Sequence, residues 1–498
     1  MDGFRLTGFI AAPDDYSLTS ISLLEVVTLG NQDWLFAGSE ASGAVSRIGI
    51  GSGNAFSVRE LDWDLHEGGA VMVSGGLALE RGARDLLLGF DRITAQVSVQ
   101  QISSAGTLAS PAVLRLDSGA AVQATEMSHF TMGGRDWLVG TDRGGDGISL
   151  YRMGNDTTVT RTDGVRDTPK THVAHVSQTV AVAVGGAQYI VATSASESGM
   201  TSYSVGSDGS LRMVDSIGTR DGLWSSGLAD LTALEVGGQT YLIGVATQSG
   251  TLVAVRLNPQ GVFFMADVEI DDRDTRFAGV AAVDTFAAQG RDFVILGGTD
   301  GGLSMFELLP GGTFFHHMNA VQSLEWNIGT ITGITTHLTG SEVKVFVASA
   351  GDGGLAELSL SLEDLGTRWT GTSGADQYTG TAGHDMILGG SGNDRLSGGA
   401  GNDVIHAGRG EDRLAGGSGA DTFVFVADGT ADRIDDFEVG VDKIDLTGWG
   451  MLYHISDLQI RGRGDGATIR FEGEEIRLVN ADGTRIEAAD LDQDDFIF

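Results

Sequence analysis

Runs of alternating apolar and polar residues recur along the first three quarters of the chain. Examples are LTALEV, YLIGVAT, TLVAVRL and VFFMADVEI, each bounded by Gly, Asn or Asp. Alternation with period two sends every other side chain to one face and predicts β-strands, and the breaks predict turns. The runs themselves repeat. A glycine-containing turn, a polar residue and an apolar run return as GNQDWLFAG, GARDLLLG, GGRDWLVG, GGAQYIVA, GGQTYLIGVA, QGRDFVILGG and TGSEVKVFVA. The first bulky residue after each turn is Trp34, Leu86, Trp137, Tyr189, Tyr241, Phe293 and Val345, at intervals of 52, 51, 52, 52, 52 and 52 residues. Four short antiparallel strands in each of seven such units predict an all-β architecture, a seven-bladed β-propeller over residues 1–366. The last unit stops one strand short after GLAELSLSL. Residues 4–12, FRLTGFIAA, are expected to supply that strand, because an open ring leaves an unpaired edge.

A different period begins at residue 371: GTSGADQYT, GTAGHDMIL, GGSGNDRLS, GGAGNDVIH, AGRGEDRLA, GGSGADTFV. Every nonapeptide has Gly at position 4 and Asp at position 6, namely Asp376, Asp385, Asp394, Asp403, Asp412 and Asp421. Position 8 is apolar throughout: Tyr378, Ile387, Leu396, Ile405, Leu414 and Phe423. Each unit thus offers one inward anchor, one carboxylate and a glycine turn able to reach positive φ and aim its carbonyls inward. Stacked turns would set equivalent carboxylates against one another unless a cation lay between them. Carbonyl and carboxylate oxygens specify a hard ion, calcium rather than zinc or copper.

The ladder resembles the RTX, or hemolysin-type, repeats of pattern G-G-x-G-x-D-x-U-x. That resemblance implies a parallel β-roll with Ca2+ held between the turns of units n and n+2, four pairings in six units. It implies ligands from carbonyls of turn positions 1 to 4 together with the aspartates. The best-formed turns are Gly389, Gly390, Ser391 and Gly392 with Asp394, and Gly398, Gly399, Ala400 and Gly401 with Asp403. Units one and two depart from the pattern with Thr at position 2, and unit five with Ala at position 1. The segment DTFVFVADGTADRIDDFEVGVDKIDLTGWG is similar to the cap that follows such repeats, and the acidic end EAADLDQDDFIF is similar to type I secretion signals. The expected division is a propeller at 1–366, a β-roll at 367–424, and a β-rich cap with secretion signal at 425–498.

Composition narrows the partners. There are 31 basic and 67 acidic side chains, a net charge of −36, and only three lysines, Lys170, Lys344 and Lys443. The arginines are expected to be scattered rather than clustered into a stripe, so neither nucleic acid nor an anionic membrane surface is an expected partner. Cysteine is absent, which excludes disulfides and thiolate metal sites. The amino terminus, MDGFRLTGFIAAPDDYSL, does not read as a cleaved signal peptide, and no apolar run is long enough for a transmembrane helix. With the RTX resemblance, the expectation is a secreted extracellular protein exported by type I machinery, either released or held at the cell surface.

A propeller fold assigns no activity, so the residues on its connecting loops carry the question. Candidates on one face are His172, His175, Asp221, Trp224, Arg276 and Trp326, accompanied by Trp63, His66, Asp271, Asp274 and Asn327. An aromatic and acidic funnel of this kind suits an extracellular glycan or protein ligand. The architecture also resembles lactonase-like propellers, which leaves a lactonase or polysaccharide lyase at the channel mouth as the alternative. His172 and His175 are spaced to meet on a helix but to diverge on a strand. No G-x-S-x-G, H-E-x-x-H or phosphate-loop motif occurs in the sequence.

Overall fold

The computed structural model describes residues 3–10, 18, 20–40, 44–51, 59–63, 76–81, 85–91, 94–141, 146–154, 157–223, 225–272, 275–321, 329–350 and 354–498. The fold is all-β, with two compact units.

Seven sheets make up the propeller, antiparallel except where the short strand Arg115–Leu116 pairs parallel with Thr158–Arg166. One complete blade is Leu228–Val236, Gln239–Ala246, Thr251–Leu257 and Phe263–Ile270, paired in sequence order. Its second and third strands are buried at nearly every position, because each blade is covered by a neighbour on both faces. Its outer strand carries a bulge that breaks the register between Ala254 and Val255. Equivalent bulges occur opposite Leu150/Tyr151, Ser202/Tyr203 and Met305/Phe306. A bulge re-aims the residue beside it. Asp163, Asp215 and Asp267, each next to such a bulge, accept the backbone N–H of Leu211, Phe263 and Phe314 in the following blade at 2.7, 2.9 and 2.7 Å. A carboxylate staple therefore joins successive sheets.

The sheet of Ile331–Thr339, Glu342–Ser349 and Gly354–Ser361 takes Arg5–Ile10 as its fourth, antiparallel strand. The Thr7 hydroxyl donates to Glu357 Oε1 at 3.0 Å, and the same oxygen pairs with the buried Lys344 Nζ at 2.6 Å.

The second unit contains a parallel solenoid at residues 365–448. Alternate nonapeptides enter opposite sheets. One sheet runs Leu365–Thr370, His384–Leu388, Val404–His406, Thr422–Val426, Lys443–Gly448 and Phe496–Ile497; the other starts Gln377–Thr379, Arg395–Ala400, Arg413–Ser418, Ala431–Phe437 and Glu474–Asn480. Pairing is parallel through these strands. Ile387, Leu396, Ile405, Leu414 and Phe423, the position-8 anchors, meet in one core together with Ile434, Ile444 and Ile476. The solenoid's internal layer is thus built on one anchor per turn, joined in some turns by a second apolar residue such as Ala407, Phe425 or Leu446, and the polar turns are left to line its edges.

Candidate calcium site

The turns owe their shape to glycine at two positions. Gly390, Gly399, Gly408 and Gly417 at position 2 have φ between 91° and 111°, and Gly392, Gly401, Gly410 and Gly419 at position 4 have φ between 106° and 135°. Such values strain any residue with a Cβ.

Each turn is tied to the next on its own edge through aspartate. The backbone N–H of Asp376 donates to Asp394 Oδ1 at 2.7 Å, Asp385 to Asp403 at 2.8 Å, Asp394 to Asp412 at 2.8 Å and Asp403 to Asp421 at 2.9 Å. All six predicted aspartates therefore belong to two ladders, odd turns on one and even turns on the other. Asp385, Asp394, Asp403, Asp412 and Asp421 are no more than 2% exposed.

The second carboxylate oxygen separates the turns into two kinds. In units one and two, the Oδ2 of Asp376 and Asp385 accepts from the amide and hydroxyl of Thr372 and Thr381. In units three to five, position 2 is glycine, and the Oδ2 atoms of Asp394, Asp403 and Asp412 are buried without a hydrogen-bond partner. A buried carboxylate oxygen without a donor is costly, and a cation beside it would offset that cost. The first glycine of the turn leaves room beside it. A Cβ on Gly389 would stand 3.0 Å from Asp394 Oδ2, and one on Gly398 would press into Asp403 Oδ2 and the Gly416 carbonyl. Carboxylate oxygen and carbonyl oxygen around a space that only glycine keeps open form a donor set for a hard cation.

Burial pushes the carboxyls up: Asp403 and Asp412 to about 7, Asp421 to about 6, and Asp394 in the same direction. Backbone donors pull the other way, while the neighbouring carboxylates Asp385 and Asp421 push Asp403 further. Ionising this edge without a counter-charge is unfavourable.

Two members of the ladders escape a strict nonapeptide count. Asp412 N–H donates to Asp432 Oδ1 at 2.9 Å and Asp421 N–H to Asp442 Oδ1 at 3.0 Å. Burial raises Asp432 to about 7 and Asp442 to about 6. The signal in the sequence is a shared tripeptide, Asp, basic, apolar: DRL at 394 and 412, DRI at 432 and DKI at 442.

The RTX calcium-binding nonapeptide repeat family, described with four copies, matches residues 370–405 and 388–423. Residues 370–423 are RTX calcium-binding repeats. Among solved structures, this chain is similar to a subunit of the Azotobacter vinelandii mannuronan C5-epimerase, with 33% identity over 26% of this chain and 81% of that one, TM-score 0.21. The chain is also similar to a putative 6-phosphogluconolactonase from Bacteroides fragilis, with 12% identity over 68% and 94% of the two chains, TM-score 0.42. An exo-β-1,3-galactanase from Phanerochaete chrysosporium matches with 13% identity over 51% of this chain, TM-score 0.33, and the chain spans 64% of that enzyme's length. No curated protein matches the sequence.

On the propeller, the candidate face residues have separate local settings. The His172 ring lies against Gly199 and Gly218, its Nδ1 is buried without a hydrogen-bond partner, and its backbone N–H donates to Thr201 Oγ1 at 2.8 Å. His175 is exposed at φ 48°, with Nδ1 3.3 Å from Ser196 Oγ. Asp221 accepts the Gly218 N–H at 3.1 Å at the start of a short 3-10 turn. The Arg276 backbone donates to Ser304 Oγ at 2.8 Å, the counterpart of the His172 bond two blades earlier. Trp224, Trp326, His66, Asp274 and Asn327 lie outside the described residues, as does the Trp63 side chain. Among the described residues no group of three or more His, Asp or Glu side chains is arranged to hold a metal by itself. A cation in the RTX turns must therefore take backbone carbonyls as well.

Proposed function

We propose that this chain is a secreted protein whose RTX roll takes up calcium outside the cell and whose propeller is an extracellular interaction or glycan-binding platform. The observation that carries the calcium reading is the run of three buried, unpartnered Oδ2 atoms at Asp394, Asp403 and Asp412. With them we assign the turn carbonyls of Gly389, Gly390, Ser391, Gly392, Gly398, Gly399, Ala400 and Gly401 as the source of further oxygen ligands. Bound calcium supplies the positive charge that lets these buried carboxylates ionise together. Export by type I machinery follows the similarity of the acidic carboxyl-terminal segment to such signals. In a calcium-poor cytosol the roll stays open for passage, and outside it folds, because ion binding adds its free energy to folding.

Far-UV circular dichroism of the full chain, with calcium and with chelator, tests the central claim. A reversible gain of strand signal on adding calcium is expected, weakened when Asp394→Ala and Asp403→Ala are combined. An unchanged spectrum and no heat of calcium binding refute it. For the propeller, alanine at His175, Asp221 and Arg276 is expected to reduce binding on a glycan panel. Turnover of a lactone or a polysaccharide by the unaltered chain would make it an enzyme instead.

A further inference from the structure

The expectation that the arginines form no stripe fails in the roll, where the parallel register brings four of them into a row. In one sheet of the roll Gln377 stands beside Arg395, Arg395 beside Arg413, Arg413 beside Arg433, and Arg433 beside Arg477. The residues that follow them, Leu396, Leu414, Ile434 and Leu478, are buried in the core. Strand side chains alternate, so the arginines project from the outer face, with neighbouring strands about 4.8 Å apart. On a chain of net charge −36 this is a row of basic residues, of which Arg477, at the far end, is paired with Asp465 at 2.8 Å.

One step of the row already holds a carboxylate. Asp435, two residues beyond Arg433, meets Arg433 Nε at 2.5 Å through Oδ1 and Arg413 Nε through Oδ2. Burial would raise its carboxyl, but hydrogen bonds from Arg413 and Arg433 hold it below the ordinary aspartate range. At the next step, between Arg413 and Arg395, the same register puts Ala415 where Asp435 would be. Ala415 brings no carboxylate, and Arg395 has no ion-pair partner among the described residues. A groove of about 180 Å³ covers this step, lined by Arg395, Arg413, Ser397, Ala415, Thr379 and Asp435 among others.

We propose that the groove binds an acidic polysaccharide of the polyuronate class, with Arg395 and Arg413 clamping a sugar carboxylate as Arg413 and Arg433 clamp Asp435. The guanidinium fork matches a planar carboxylate, and an arginine pair fixes its orientation. A uronate ring offers a planar carboxylate beside ring hydroxyls, and the polar residues Thr379 and Ser397 line the groove next to the arginine pair. Duplex DNA carries one charge per about 1.7 Å of axis, far denser than a single row of arginines about 4.8 Å apart. The proposal needs the roll folded and does not depend on what the propeller binds.

The test is calorimetric titration of the full chain, in calcium, with an oligogalacturonate too short to gel. Binding that weakens with added salt is expected, and Arg395→Ser and Ala415→Asp should each weaken it by at least about tenfold. Ala415→Asp is the sharper variant, because it fills the seat from within and keeps every arginine. Arg212→Ser, in an exposed position on the propeller, should change nothing, and circular dichroism in calcium should be the same for all variants. Equal binding by the Ala415→Asp variant, absence of binding by the unaltered chain, or equal binding of duplex DNA or a neutral maltodextrin would overturn the proposal. Should chelation leave the roll's spectrum unchanged while oligogalacturonate still binds in an Ala415→Asp-sensitive way, the calcium reading fails and this one stands.

Discussion

Asp267 in the propeller and Asp403 in the roll are alike in their first bond, since each accepts a backbone N–H from another repeat, at 2.7 and 2.8 Å. They differ in the second oxygen. Asp267 Oδ1 accepts the Val268 N–H at 2.9 Å, whereas Asp403 Oδ2 is buried with no partner. Asp163, Asp230 and Asp284 follow the closed pattern of Asp267, with both oxygens on backbone amides. Asp394 and Asp412 follow the open pattern of Asp403. A closed carboxylate is a structural staple that is complete within the protein. An open one is left for a ligand from outside. The same residue type, tied to a repeat in the same way, thus closes on the protein itself in one domain and stays open to a ligand in the other.

The contrast can be broken most directly by removing calcium. Chelation should abolish the roll's thermal transition while leaving the propeller's in place, which scanning calorimetry of the full chain resolves. A single transition shifted as a whole would erase the distinction. Next in size, Asp403→Ala should lower calcium affinity by about tenfold or more, consistent with loss of a charged ligand. Asp267→Ala should instead cost about 1 to 3 kcal/mol of propeller stability with or without calcium, because it strands two backbone amides.

Acidity gives a third test, with opposite readings in the two regions. In the roll, carboxyls raised to about 7 at Asp403 and Asp412 hold protons that calcium must displace, so affinity should fall as pH drops through 7. In the propeller, burial, with help from Asp284 and Glu126, raises Glu25 from 4.5 to about 8. Its neutral form is favoured in the folded state, so its contribution is full below 4.5 and is lost as pH rises through 8. Glu25→Gln should flatten the decline of the propeller's melting temperature between those limits. The smallest expected effect is a gain. Thr381→Gly releases Asp385 Oδ2 from the Thr381 hydroxyl and should strengthen calcium binding at the second turn a few-fold, readable by calorimetry.

What could be read in advance follows from how strictly each feature repeats. The seven anchors from Trp34 to Val345 betray the blades because every blade needs a bulky residue at the same place in its second strand. The nonapeptide aspartates are equally plain, since each turn has the same work. Asp432 and Asp442 are hidden by insertions that place them 20 and 21 residues after their partners, where the repeats keep 18. The arginine row is hidden for another reason. Alternate repeats go to opposite sheets, so Arg395 and Arg413 become neighbours only once the two-sheet coil is known. Likewise Asp163, Asp215 and Asp267 recur at the blade period, but only the bulges beside them show that they point to the next blade.

The strand that completes the last blade comes from the opposite end of the propeller sequence, with Thr7 bonded to Glu357 across 350 residues. Closing so long a loop is slow, and nothing local repays it until both ends are present. The ring therefore acts as a completeness check: a chain still being made has one of the two ends missing and cannot shut. Closure marks the moment when the whole propeller sequence is present.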